Sequence, residues 1–366
     1  MKKLPLFLLV FTLCVSIFSG CTSPENSDGA TRTVTDTCGR EVQIPETVNT
    51  IVCLGSGAPR IAAYLGVMDM LIGAEDHDIK GQSVLRDYNM VYQQQLSQLP
   101  AVGIGGGSGA NNGYAEQIIT LQPDVILAGF TQEAAEELEK QTGIPVVCVR
   151  YLSIHFVDES FYTAMRVFAE VVGAQARCEQ VLGFIDGCKK DLSDRTKDIP
   201  ESEKKTAYTG AVTFSGRHGF AGTYANFGPF LAIHARNVAD EVKDVNYFET
   251  DPEKVLQWDP DVIFLDPGNM DLVNDEYKTN PGYFDSLRAV QEGNVYTMPS
   301  FNNCSTNITY AIMNAYYAGI VLYPEQFADV DMAAIGALVL ETMLGENFFE
   351  EMEAGGLYYG KLTIGQ

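Results

Sequence analysis

The sequence predicts an α/β protein made of two lobes, each built on a mostly parallel sheet, with a long helix bridging them. Three observations lead to this prediction. From residue 49 onward, short β-branched segments alternate with capped helices, which is typical of parallel α/β architecture. A twelve-residue pattern that starts at Glu116 recurs at Glu253, and a long stretch with helical periodicity separates the two copies.

The first lobe begins with a predicted strand at 49–54. The helix predicted at 59–65 has Pro59 in its first turn and Gly66 just past its end, which are the usual boundary residues of a helix. The other elements predicted for this lobe are strands at 124–128 and 145–149 and an acidic helix at 132–142. This order of elements predicts that the strands pair in parallel.

The repeated pattern reads EQIITLQPDVIL from residue 116 and EKVLQWDPDVIF from residue 253. In both copies a short amphipathic helix ends at Pro-Asp, and the chain then turns directly into a buried strand. A common helix-to-strand junction could recur by chance. The shared residues and the spacing of about one lobe favour duplication or a shared lobe architecture, so that each copy is one helix-to-strand unit of its own lobe.

The middle of the chain predicts two helices, at 159–172 and 174–197. At 1.5 Å per residue the second would be roughly 35 Å long, which is enough to bridge two lobes. The alternative is a surface helix of the first lobe. The second lobe is predicted to hold a strand at 206–214 and helices at 306–321 and 331–344. The expected boundaries are therefore 32–157 for the first lobe, 158–202 for the helical region and 203–366 for the second lobe.

The N-terminus predicts export. Residues 1–20 combine two lysines with an apolar run that is too short for a permanent membrane span, as in a signal peptide. The segment that ends at Cys21 is similar to the lipobox of bacterial lipoproteins, and residues 21–31 form a polar, flexible tether. We therefore expect lipidation at Cys21 and an extracytoplasmic, lipid-anchored protein of the cell envelope. Plain secretion and a retained anchor are the alternatives.

Charge and cysteine spacing exclude several classes of function. With 48 acidic and 24 basic residues, the chain lacks the clustered cations that nucleic acid requires. No CxxC spacing is present, and four scattered histidines disfavour capture of a bare metal ion. Cys53 and Cys148 lie in apolar strand-like runs, where a thiol usually acts as a small hydrophobic side chain. The sequence does not decide whether any cysteine pair is oxidised.

Several motifs together carry a resemblance to a known family. The segments RTVTDTCGREVQIP at 32–45 and TIVCL at 50–54, the paired PDVI motifs, the candidate bridging helix and the lipobox occur in one order along the chain. This order resembles the periplasmic binding proteins that capture iron siderophores, haem or cobalamin for ABC importers. The resemblance implies two Rossmann-like lobes of the class III type, a ligand in the cleft between them, modest closure and no catalysed reaction.

The same resemblance implies partners and a docking surface. The partners would be an ABC permease and its ATPase, with the membrane reached through the lipid anchor. In such proteins a surface glutamate from each lobe binds arginines of the permease, and Glu116 and Glu253 match those positions. Carboxylates can form charge-assisted bidentate pairs with arginines. Alternatively, each glutamate only stabilises the N-terminus of its own helix through the macrodipole.

Ligand contacts are expected on loops at the carboxyl ends of the strands, as in open α/β sheets. The candidate ligand-binding residues are Ser56, Arg60, Phe130, Tyr151, Arg217, His218, Tyr224, Phe301 and Asn302. The arginines would donate to anionic groups, or alternatively form salt bridges, and the aromatic rings would stack. The ligand would be a ferric chelate, haem or a corrinoid, and there would be no resident cofactor. His218 could serve as an axial ligand to haem iron or cobalt, with no other metal site expected.

Two other classes remain open. A secreted enzyme would need a catalytic motif, but the glycine-rich segments at 55–57 and 103–109 match neither GxSxG, Walker A nor GxGxxG. A sensor lipoprotein could use the same fold without a transporter. Turnover of a chelate would support the enzyme, and uptake that survives charge reversal at both docking glutamates would support the sensor.

Overall fold

Strands and helices alternate through most of the computed structural model, which describes residues 29–107, 109–151, 156–242 and 246–366. The predicted signal peptide, nearly all of the tether and Cys21 lie outside the described residues. The strands are Thr31–Thr35 (β1), Glu41–Pro45 (β2), Ile51–Leu54 (β3), Ala74–Glu75 (β4), Ala101–Gly105 (β5), Gly109–Gly113 (β6), Val125–Ala128 (β7), Val146–Cys148 (β8), Thr206–Gly210 (β9), Gly222–Tyr224 (β10), Arg236–Asn237 (β11), Tyr247–Glu249 (β12), Val262–Leu265 (β13) and Val295–Thr297 (β14).

The helices alternate with the strands and make up most of the C-terminal region. They are Ala58–Tyr64 (α1), Asp76–Ile79 (α2), Asp87–Leu96 (α3), Ala115–Leu121 (α4), Gln132–Thr142 (α5), Glu159–Val172 (α6), Gln175–Thr196 (α7), Gly228–Ala232 (α8), Pro252–Trp258 (α9), Met270–Thr279 (α10), Pro281–Asp285 (α11), Arg288–Gln291 (α12), Ile308–Leu322 (α13), Met332–Leu344 (α14) and Phe349–Ala354 (α15). Among the described residues, no helix is both long enough and apolar enough to span a bilayer.

Two separate parallel sheets form the centre of the fold. The first has the strand order β3-β7-β8 and the second the order β11-β9-β13-β14, and every pairing within them is parallel. A mixed sheet, β4-β5-β6, lies in the first half of the chain, and the hairpins β1-β2 and β10-β12 complete the pairing. The predicted α/β class with parallel sheets is confirmed, because parallel neighbours require the intervening helices as crossovers.

The internal repeat is also present in three dimensions. The Asp124 carboxylate accepts hydrogen bonds from Thr50 N at 2.9 Å and Thr50 Oγ1 at 3.2 Å. In the second half, the Asp261 carboxylate accepts from Thr206 N at 2.7 Å and Thr206 Oγ1 at 2.8 Å. Each aspartate of a Pro-Asp motif therefore fixes the start of the neighbouring strand in its own sheet, which supports the interpretation of the pattern as equivalent units.

The helix α7 contacts both halves of the chain. At 1.5 Å per residue its 22 residues extend about 33 Å. Near its start, Arg177 Nε donates to Tyr64 O at 3.0 Å in the first half, and Arg177 Nη2 donates to Thr342 O at 2.6 Å in the second. These contacts fit the predicted bridging role. The lobe boundaries at 157 and 203 stay predictions.

The C-terminal helix α13 also contacts the first half of the chain. Tyr310 Oη donates to Val84 O at 2.8 Å, and Ile308 N donates to Tyr64 Oη at 3.1 Å. One hydrophobic cluster contains buried side chains from both halves. Residues 31–366 therefore form one compact unit with a shared core.

The predicted strand at 206–214 ends early, at Gly210. Ala211 has a φ of 54° and Ser215 a φ of 53°, both in the left-handed region that an extended strand cannot contain. The pairing with the sheet stops there because the backbone turns away. Residues 211–215 consequently form a loop at the carboxyl end of β9.

Candidate functional site

A cleft of about 560 Å³ lies between segments from the two halves of the chain. Its walls are Ser56, His77, Leu85 and Gly107 from the first half, and Thr213, Phe214, Ser215, Gly216, Arg217, Asn302, Asn303, Cys304, Ser305 and Thr306 from the second. Ser56 follows the carboxyl end of β3, and Thr213 follows that of β9. The cleft therefore lies where strand ends of the two parallel sheets face each other, as the sequence predicts.

The wall of the cleft combines hydrogen-bonding groups with apolar surface. Hydroxyl groups come from serine and threonine residues on both sides, among them Ser56, Ser215 and Ser305. Leu85 and Phe214 supply apolar surface. Such a wall can bind the polar rim of a small molecule while its carbon skeleton packs against the apolar side chains.

Arg217 supplies the guanidinium group in the wall of this cleft. Its Nε donates to Asn269 Oδ1 at 2.8 Å, its Nη2 donates to Gly268 O at 2.7 Å, and it forms an ion pair with Asp271. These bonds fix the guanidinium plane while the side chain remains 49% exposed. No described residue accepts from Nη1, so this nitrogen can donate to an anionic ligand.

Arg60 lies outside the open cleft, in a fully buried junction beneath it. Its Nε pairs with the Asp87 carboxylate at 2.8 Å. Its Nη groups donate to Cys304 O at 2.8 Å, Asn303 O at 3.0 Å, Asn307 Oδ1 at 2.9 Å and Tyr151 Oη at 3.3 Å. All five N–H donors are thus used by the protein, and the guanidinium joins α1 to the loop before α13 across the base of the cleft.

The aromatic candidates are likewise buried. Phe130 lies in the core of the first half, and the Tyr151 ring packs beside the backbone of Gly57. Tyr224 and Phe301 line a second, smaller cavity inside the second half. None of these four side chains lines the main cleft, whereas Asn302 lines both cavities. The structure therefore brings Ser56, Arg217 and Asn302 together in the main cleft.

His218 lies beside the strand β12 rather than in the cleft wall. Its Nδ1 is 2.8 Å from Glu249 Oε1 and 2.6 Å from Tyr247 Oη, and its Nε2 is 2.9 Å from Phe214 O. The imidazole also packs on the Tyr247 ring, with 4.5 Å between ring centres. Because protein atoms contact both ring nitrogens, an axial bond to a metal would require one of these contacts to break.

His77 is a cleft residue that the sequence reasoning missed, since it was considered only as one of four scattered histidines. It follows β4 and lies against the glycine-rich segment, where a Cβ on Gly106 would approach His77 Nδ1 to 3.2 Å. Burial, with a further contribution from Arg86, lowers the pKa of His77. The signal was the glycine-rich segment at 103–107, because glycines permit close approach of a neighbouring side chain.

Glu75, behind this wall, is a buried acid. Its Oε1 accepts from Gly55 N at 2.7 Å, and a Cβ on Gly105 would approach Glu75 Cβ to 2.7 Å. Burial raises the pKa of Glu75 to about 8, with the charge of Asp78 adding to the rise and the Gly55 hydrogen bond opposing it. Its carboxyl group is therefore protonated at neutral pH, and it holds the backbone at the start of the Ser56 loop.

The two docking candidates occupy equivalent positions. Glu116 is in the first turn of α4 and Glu253 in the first turn of α9, and both side chains are exposed. Each helix ends at a residue in the left-handed conformation, Gln122 with φ 51° and Asp259 with φ 39°. The geometry presents a carboxylate at the same place in each repeat unit.

Comparison with known proteins gives a consistent result. Residues 61–301 match the family described as Periplasmic binding protein. The chain is similar to three curated proteins: an uncharacterized ABC transporter substrate-binding lipoprotein, YvrC, of Bacillus subtilis (22% identical, covering 73% of this chain and 82% of the relative), the molybdate-binding protein MolA of Haemophilus influenzae (24%, 83% and 88%), and the Fe(3+)-citrate-binding protein YfmC of Bacillus subtilis (23%, 81% and 89%).

A solved structure supports the fold. The periplasmic solute binding protein of Veillonella parvula superposes with a TM-score of 0.69 at 17% identity, covering 90% of this chain and 97% of that one. The family match covers more than half of the chain, and the relatives align over most of their own length. The chain therefore belongs to the periplasmic binding protein family and has the two-lobed class III fold.

Proposed function

We propose that this chain is a lipid-anchored, extracytoplasmic receptor that captures an iron chelate and delivers it to a membrane permease coupled to an ATPase. The observation that carries the proposal is the cleft of about 560 Å³ with walls from both halves of the chain. This volume falls within the range of about 300–1,000 Å³ for small-molecule sites, which fits a metal chelate. The similarity to a protein named for ferric citrate supports this ligand class.

The chemistry of the wall suits an anionic chelate. Arg217 Nη1 would donate to a carboxylate, catecholate or hydroxamate oxygen, and Ser56 and Asn302 would donate to other oxygens on the rim of the ligand. Leu85 and Phe214 would pack against its carbon skeleton. Haem and corrinoids remain alternatives, for which His77 in the cleft wall offers an imidazole.

Molybdate is a second candidate, favoured by the 24% identity to MolA over 331 residues. A small oxyanion would use the same Arg217 and hydroxyl donors without the apolar surface. Replacing Leu85 and Phe214 with alanine distinguishes the two ligands. The substitutions should weaken binding of a chelate, whereas the affinity for molybdate should not change because molybdate makes no apolar contacts.

The ligand can be identified from protein purified from its own host, by absorption spectroscopy together with metal analysis for iron, cobalt and molybdenum. Calorimetric titration of the ligand-free protein with ferric citrate, a ferric hydroxamate, haemin and molybdate then ranks the affinities. We expect a ferric chelate to bind most tightly and Arg217→Met to weaken it at least tenfold. Binding of molybdate alone, or of no metal complex, would contradict the proposed ligand.

We propose that Glu116 and Glu253 dock the protein on its permease. Replacing both with arginine should abolish uptake of the bound solute while leaving its dissociation constant unchanged, because the pairs with permease arginines become repulsive. Glu133→Arg is a matched control, since Glu133 is also exposed in the first turn of a helix. Normal uptake by the double variant would exclude this docking surface.

Lipidation at Cys21 is proposed from the lipobox alone. Cys21→Ser should move the protein from the membrane fraction to the soluble or secreted fraction without changing ligand affinity. Unchanged membrane attachment of this variant would argue for a retained signal anchor.

A further inference from the structure

The turn between β1 and β2 packs against the end of β8, far along the chain. Thr37 N donates to Cys148 O at 3.1 Å, and Cys148 N donates to Asp36 Oδ2 at 3.1 Å. Arg150 N donates to Thr37 Oγ1 at 3.0 Å. Three hydrogen bonds, to Cys148 and from Cys148 and Arg150, thus hold the turn against the end of the strand.

These contacts bring two cysteines together. Cys38 in the turn is half-buried, Cys148 at the end of β8 is fully buried, and both are free thiols in this structure. Their Sγ atoms lie within 4.8 Å of each other. Burial, then a hydrogen bond with the Cys38 thiol, raises the pKa of Cys148. A disulfide requires the two sulfurs to approach to about 2.05 Å.

The neighbouring Asp36 completes a group of three possible metal ligands, but its carboxylate is already occupied. Oδ1 accepts from Cys38 N at 2.9 Å and Arg40 N at 3.0 Å, and Oδ2 accepts from Arg40 Nε at 2.9 Å as well as from Cys148 N. A metal ion would have to displace these bonds and would also lie beside the Arg40 guanidinium. This arrangement disfavours a metal site and leaves the two sulfurs.

We propose that Cys38 and Cys148 form a disulfide after the chain is exported. Periplasmic binding proteins act outside the cytoplasm, where disulfides form and persist. The oxidant would be the disulfide of an extracytoplasmic thiol oxidoreductase. The more accessible Cys38 sulfur attacks one oxidant sulfur, releasing the other as a thiol, and Cys148 then displaces the oxidant from Cys38. The protein loses two protons and two electrons in total, and the oxidant leaves as a dithiol.

The bond would fix a segment next to the cleft. The chain continues from Cys148 through Arg150 to Tyr151, whose ring packs beside Gly57 and whose hydroxyl contacts Arg60. The covalent link would close a loop from residue 38 to residue 148 and so restrict the unfolded chain. We therefore expect the oxidised protein to melt at least about 5 °C above the reduced one.

The test uses the full chain, exported with its own signal, purified without reductant and treated with an alkylating reagent before digestion. Mass spectrometry should find a cross-linked peptide pair containing Cys38 and Cys148, which separates on reduction. Alkylation of both cysteines, in protein that has also been exposed to oxidised glutathione, would overturn the proposal. So would stoichiometric zinc bound to the unoxidised pair.

Variants separate the covalent bond from ordinary packing. Cys38→Ser changes a half-buried turn residue and should melt at the same temperature with and without reductant, at the value of the reduced wild type. Cys304→Ser, at another half-buried cysteine, should keep both the cross-linked peptide and the response to reductant. A response to reductant that persists in Cys38→Ser would show that another cysteine pair is responsible.

Discussion

Replacing Arg60 with methionine tests whether the buried junction under the cleft holds the two halves of the chain together. The substitution keeps much of the side-chain volume but leaves the Asp87 carboxylate buried without a cation and removes the donors that bond Asn303 O, Cys304 O and Asn307 Oδ1. Removing one partner of a buried ion pair typically costs about 3–5 kcal/mol. With an unfolding entropy of about 2 cal/mol/K per residue, a loss of about 4 kcal/mol lowers the melting temperature of a domain of this size by about 6 °C.

The assay is scanning calorimetry of the ligand-free protein together with calorimetric ligand titration. Arg217→Met is the matched control, because its ion pair with Asp271 joins side chains that are 49% and 62% exposed and contributes less than about 1 kcal/mol. We expect Arg60→Met to lose stability and Arg217→Met to lose affinity. A melting temperature for Arg60→Met within about 1 °C of the wild type, with weakened binding, would refute the structural role and restore Arg60 as a ligand contact.

Three further predictions follow from individual contacts. Folding raises the pKa of Glu75 from its usual 4.5 to about 8, so between about pH 5 and pH 8 the folded state holds a proton that the unfolded state has lost, and stability falls as the pH rises. Glu75→Gln should therefore show a smaller fall in melting temperature over this pH range, and a pH dependence equal to that of the wild type would contradict the prediction. Gly57→Ala should lower the free energy of unfolding by more than about 2 kcal/mol, because its Cβ would lie 2.5 Å from the Tyr151 ring. Gly143 also has a positive φ but has open space around it, so Gly143→Ala should lower this free energy, measured by denaturant unfolding, by only about 1 kcal/mol. Asp124→Ala and Asp261→Ala should each cost about 2 kcal/mol, and the double variant should show the sum, since the two sites belong to different sheets; a strongly non-additive result would contradict this independence.

The helices and strands that the sequence did predict have local signals. The helices at 132–142 and 159–172 were predicted with the bounds found for α5 and α6, where Thr131 and Asp158 accept hydrogen bonds from the first-turn amides and a glycine follows each helix. The strand at 206–214 was too long, because apolar composition does not reveal the positive φ of Ala211.

The site was harder to predict, since it depends on which loop side chains point into the cleft. Strand-end position selected Ser56, Arg217 and Asn302, and these three residues line the cleft; that they bind the ligand stays a prediction. The same criterion also selected Arg60, but the sequence could not show that Asp87, Tyr151 and the loop at 303–307 would together use all its donors. The loop carbonyl groups at 303 and 304 lie more than 240 residues from Arg60 in sequence. Only the folded chain therefore reveals these contacts.

The hydrogen bonds from Arg60 to the loop at 303–307 also affect how the bound solute is released. The walls of the cleft are joined at their base by buried polar contacts and a common apolar core, so a wide hinge motion would have to break both. Spontaneous opening of the cleft should therefore be rare. Release of the solute would depend on a conformational change of the loops at 213–217 and 302–306. If the chain delivers its solute to a permease as proposed, contact with that permease, rather than thermal opening of the free protein, would then set how long the solute stays bound.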